Sequence, residues 1–124
     1  MEFQVEKTDR YTKVKPLIEK MDSTVSPDVK AEFVFHNGKG ERNLVLDLEQ
    51  VKYVDSSGLS AILVANRLCN SCQGSLVLTN IQESVMKLIT ISQLDTILNI
   101  VPNPLEIDDF LIMQSIERDL NAEE

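Results

Sequence analysis

At 124 residues with 43% apolar side chains, the chain is long enough to bury one hydrophobic core and is expected to form a single domain over 1–124. A formal net charge of −8 argues against nucleic acid, whose binding needs Lys and Arg to replace counterions, and equally against an anionic membrane surface. No apolar run approaches ~20 residues and Met1 to Val5 carries no basic start or apolar stretch of a secretion signal, so no membrane span is expected and the expected compartment is the cytoplasm.

Phe3 to Thr8 and Tyr11 to Ile18 read as two strands joined at Asp9-Arg10, a hairpin at a sheet edge, where Pro16 is tolerable. Met21 to Thr24 reads as a loop. Ser26 as N-cap with Pro27 at the first helical position then opens a helix, with Val29, Phe33 and Val34 as its buried stripe and Asn37-Gly38 as its end. Gly38 to Glu41 is a polar loop into Asn43 to Leu48, whose near-continuous apolar run is that of a buried strand. A turn at Asp55 to Gly58 leads to a helix from Leu59 to Leu68, stopped by Gln73-Gly74. Ser75 to Asn80 is a strand, Glu83 to Leu94 a helix with apolar Val85, Met86, Leu88, Ile89 and Ile91, and Ile97 to Val101 a short last strand closed by Pro102 and Pro104. A terminal helix over about 106–121 places Phe110, Met113, Ile116 and Leu120 at the spacing of one face. This alternation predicts an α/β domain: a mainly parallel sheet with an antiparallel edge hairpin, packed by helices. Ligands and partners gather at the carboxyl ends of the strands in such sheets, and the turns at Asp22, Asp55 to Ser57 and Thr79-Asn80 are expected to share that edge.

The stretch Lys52 to Leu63 is the one around which the chain is organised. Asp55, Ser56 and Ser57 are good capping residues, because their oxygens accept hydrogen bonds from the orphan N–H groups of a first helical turn. Gly58 lets that helix start close against the sheet. Two hydroxyls are thereby displayed at the positive end of a helix dipole, where a phosphate is well tolerated. Strand, Asp55-Ser56-Ser57-Gly58-Leu59 and apolar helix together resemble the signature of the STAS domain family of anti-sigma factor antagonists, and the resemblance runs from about Tyr11 to about Val101. It implies that Ser56, directly after the Asp, is the phosphorylation site. It further implies that the unphosphorylated form binds an anti-sigma factor, often an ATP-dependent serine kinase, and frees a sigma factor. On the same resemblance, phosphorylation is expected to end the binding and a phosphatase to reverse it. The expected partner-binding set is Asp22, Asp55, Ser56, Ser57, Gly58 and Ser60. Glu19 and Lys20 depart from the family, which usually has a Gly ahead of its Leu-Asp pair, so the backbone before Asp22 is expected to differ. The alternative within the same resemblance is a docking subunit of a lipid-transport or larger signalling assembly whose Ser56 is never phosphorylated.

Catalytic readings carry less weight. Cys69-Asn-Ser-Cys72 falls at the C-terminal end of a helix, where the dipole disfavours a thiolate, and a structural zinc would need two further ligands that lone His36 cannot complete. A nucleophile elbow at Ser56 would need a positioned His and acid. Asp47, Glu49 and Asp55 read as a solvated strand end rather than a metal site. A regulator that works by binding protein is expected, not an enzyme, with no cofactor and no metal.

Overall fold

The computed structural model describes residues 1–122. Five strands form one sheet in the order β1-β2-β4-β6-β7. The hairpin of β1 (Phe3–Lys7) and β2 (Thr12–Pro16) is antiparallel, and β4 (Leu44–Asp47), β6 (Leu76–Thr79) and β7 (Asn99–Ile100) continue in parallel. The expected mainly parallel sheet with an antiparallel edge is thus present. In β4 and β6 every residue is buried, since helices cover both faces there. Leu44, Leu46, Leu76 and Leu78 point to one core, with Val29, Phe33, Ile62 and Ile89 of the helices α1 (Ser26–Gly38), α2 (Ser56–Ser71) and α3 (Glu83–Ile91). Val45 and Val77 point the other way, to Ile107 and Leu111 of α4 (Ile107–Ala122). Three helices therefore cover one face and α4 covers the other.

Several expectations are corrected. Pro16 belongs to a strand flanked on both sides, but it lies opposite Phe3 at the strand end, beyond the Thr12–Val14 stretch that pairs with β4, so its missing N–H breaks no inner ladder. Part of the loop expected after Ile18 is a strand: β3 (Lys20–Met21) pairs in parallel with β5 (Tyr53–Val54), a second small sheet. Ser26 is not a cap. The cap is Val25, and the Ser26 hydroxyl donates to the Asp22 carbonyl at 2.7 Å, although Pro27 does lie in the first turn. Val34 is 51% exposed, and buried His36 completes the inner face of α1 instead. Helix α3 stops at Ile91, earlier than expected, because Gln93 takes a left-handed φ of 60° that breaks the helix before a 3-10 turn at Leu94–Thr96. Ile91 is exposed with it. In α4 the buried residues are Ile107 and Leu111, with Phe110 half-buried against them, while Met113, Ile116 and Leu120 face solvent.

Candidate functional site

The β3–β5 pair exists to deliver one turn. Val54 pairs with Met21, and the Asp55 N–H then donates to the Met21 carbonyl, which fixes where α2 begins. Asp55 is the N-cap in extended conformation, and its Oδ1 accepts the Gly58 N–H at 3.0 Å. That satisfies one orphan donor of the first turn with the side chain chemistry favours there. Gly58 is buried, and a Cβ on it would meet the Met21 carbonyl oxygen and lie 2.7 Å from Val54 Cγ1. Only glycine lets the helix start at this depth.

With Asp55 occupied in capping, the serines are free to face outward. Ser56 and Ser60 are exposed and Ser57 is half-buried, and the hydroxyls of all three make no hydrogen bond among the described residues. The three line an open cleft of about 300 Å³ whose opposite wall is Ser23, Ser26, Pro27 and Lys30 of the α1 approach. Asp22, Asp55 and Gly58 do not line it. Asp22 follows Met21 as Asp55 follows Val54, so paired strands bring both to one edge, but the Asp22 carboxylate is turned into its own loop. Its Oδ1 accepts the Thr24 N–H and hydroxyl, and these bonds hold its carboxyl below the usual range. Lys30 was not anticipated. Its signal was its place one turn after Ser26 on α1, which gains meaning only when α1 and α2 lie side by side.

The Thr79-Asn80 turn lies at the same strand ends, since Asp47 and Thr79 are register partners. Its role is bracing: the Asn80 amide donates to Asp47 Oδ1 at 3.3 Å, Gln82 to the Glu49 carbonyl and Ser84 to the Lys52 carbonyl. The three acids of this region are engaged separately. Asp47 is buried and also accepts the Glu49 N–H, Glu49 pairs with Lys15 at 2.7 Å, and Asp55 caps α2. The cysteines behave as a structural pair. Cys69 is buried in the core and burial, with Cys72 adding to it, pushes its thiol up to about 12. Cys72 caps the end of α2 and donates to the Cys69 carbonyl. His36 is satisfied between two carboxylates, Glu32 at 2.8 Å and Glu41 at 2.9 Å. No helix among the described residues is long and apolar enough to cross a membrane.

Comparison with known proteins agrees with this architecture. A model of the STAS domain matches residues 2–106. A Bordetella bronchiseptica protein named as a candidate anti-sigma factor antagonist, BtrV, is 33% identical over 72 residues, 58% of this chain and 62% of that protein, so the match spans less than two thirds of the relative's length. The crystal structure of a candidate anti-sigma factor antagonist from Thermotoga maritima superposes with a TM-score of 0.81 at 22% identity, over 88% of this chain and 93% of that one. The phosphorylated form of the Bacillus cell fate determinant SpoIIAA does so with a TM-score of 0.66 at 21% identity, over 88% and 99%. The likeness to these two structures is one of fold. With the family match running through the whole sheet and the first three helices, the chain belongs to the STAS domain family.

Proposed function

We propose that this domain is a phosphorylation-switched protein-binding regulator acting in the cytoplasm, with Ser56 as the switch. Like the anti-sigma factor antagonists of its family, it is a binding protein and not an enzyme. In its unphosphorylated form it binds an anti-sigma factor that is also an ATP-dependent serine kinase, and so frees a sigma factor. Phosphorylation of Ser56 ends that binding and a phosphatase restores it. Ser57 and Ser60 complete the interface around it, with Asp55 and Gly58 fixing the turn from beneath and Asp22 at its edge.

The observation that carries this reading is the turn itself: an exposed, unbonded Ser56 hydroxyl at the N-terminus of a 16-residue helix whose cap is supplied by another residue. Ser56 can therefore gain a phosphate without surrendering a bond the fold needs. The positive helix end and Lys30 across the cleft favour the added charge within the domain. A partner pressed on the turn would instead have to desolvate roughly −1.5 to −2 charge, which costs far more than it returns unless cations wait there. The structure of a phosphorylated SpoIIAA is consistent with such chemistry on this fold. Ser57, half-buried, is the poorer acceptor. Mass spectrometry of the protein from its own cells, before and after phosphatase, tests this: loss of one phosphate mapped to Ser56 is expected, and phosphate found on Ser57 contradicts it.

A further inference from the structure

Helix α4 has two apolar faces. Ile107 and Leu111 are buried against Val45, Val77 and Val101, and Arg118 on the same side reaches the Gly74 carbonyl and the Ser75 hydroxyl. At about 100° per residue, Ile112, Met113, Ile116 and Leu120 form a second stripe roughly opposite the first, ~12 Å long. These four are 36%, 55%, 46% and 59% exposed, with Ile112 and Ile116 also lining an open cleft beside the Thr8 to Tyr11 turn. One such side chain would be unremarkable, but four over three successive turns of one helix form a contiguous patch.

The charges beside the stripe say what chemistry suits it. Asp109 stands one turn before Met113, Glu117 one turn after it, and Asp119 beside Ile116; all three are exposed and in no ion pair among the described residues. Asp108 and Asp109 lie in the first turn, where the helix dipole favours acids. Glu117 and Asp119 lie near the other end, where it disfavours them, and the last turn holds no base. The helix's one base, Arg118, is turned inward. Their placement therefore costs the isolated helix stability. A second copy of this chain would bring more acids to these acids. The stripe lies beyond residues 2–106, the stretch that the family model matches.

We propose that the outward face of α4 docks a basic amphipathic helix of a partner protein. Apolar side chains at i, i+3, i+4 and i+7 of the incoming helix seat on Ile112, Met113, Ile116 and Leu120, and flanking Lys or Arg meet Asp109, Glu117 and Asp119. The surface lies across the sheet from α2 and does not depend on the Ser56 reading. The test uses the full chain and a fluorescein-labelled peptide of about 18 residues, with Leu at that spacing and Lys elsewhere, against a scrambled peptide of the same composition. Saturable binding of the patterned peptide near physiological salt is expected. It should weaken at least roughly tenfold for the scrambled peptide, for M113S/I116S/L120S and for D109K/E117K/D119K, as loss of a central cluster does. Thermal melting establishes that both variants fold. No saturable binding overturns the proposal, as does equal binding by the scrambled peptide or by either folded variant. Sedimentation showing a dimer that M113S/I116S/L120S dissociates overturns it in favour of a second copy.

Discussion

A Cβ on Gly58 would fall against the Met21 carbonyl and near Val54 Cγ1, both anchored in the β3–β5 pair, so no flexible side chain end can yield to it. Gly58→Val is therefore expected to cost about 3 kcal/mol, read as a lower urea midpoint, and a parent-like midpoint would mean the turn tolerates a shift. The two thiols differ as sharply. Iodoacetamide at pH 8 is expected to modify Cys72 and leave Cys69, whose thiol sits at about 12, until denaturant is added. Replacing both by Ala should leave partner binding intact. Burial raises the Glu41 carboxyl, yet Lys7, His36 and Lys39 outweigh it and hold the group below its ordinary value. A carboxyl lowered in the folded state contributes stability above its unfolded value, near 4.3, that is lost as pH falls through the lower folded value. Glu41→Gln should thus destabilise at pH 7 and flatten the fall in melting temperature on acidification. An unchanged acid slope would place the dependence elsewhere.

At the scale of elements, α4 makes the clearest separation. Leu111→Ala should cost about 2 to 4 kcal/mol because it opens a hole against Val45 and Val77, while Leu120→Ala, on the exposed stripe, should stay within about 0.5 kcal/mol. Equal losses in a denaturation series would mean the two faces are assigned the wrong way round. The sequence could not make that choice. Ile107, Phe110, Leu111, Ile112, Met113, Ile116 and Leu120 populate opposite sides of one helix, and periodicity alone gives Phe110, Met113, Ile116 and Leu120 a stripe as regular as the true one. The same limit hid β3 and β5, since two-residue strands have no period to read. What was legible is what is local or continuous. The runs of β4 and β6 announce strands covered on both faces, and Asp55-Ser56-Ser57-Gly58 carries its cap and its close approach in four consecutive residues. Lys30, by contrast, meets the serines only through the packing of α1 on α2.

For the whole molecule, the two candidate surfaces lie apart, one at the strand ends above α2 and one on the outer side of the sheet. The domain already carries −8, and a phosphate would take it to about −10, while Lys30 is the one cation among the described residues that line the cleft. A partner that binds the turn must therefore sense the difference between a hydroxyl and an anion at one position. The direct test is titration calorimetry of the candidate anti-sigma kinase against the parent, Ser56→Ala and Ser56→Asp. Both substitutions are small at the first position of α2 and leave the Asp55 cap untouched, so both variants should melt like the parent. Ser56→Ala should bind with parent affinity and resist phosphorylation. Ser56→Asp places an unpaired charge in the interface at a cost of several kcal/mol, enough to abolish measurable binding from a micromolar complex of about −8 kcal/mol. Equal affinities for Ser56→Asp and the parent, both folded, would contradict the account and leave Ser56 outside any interface.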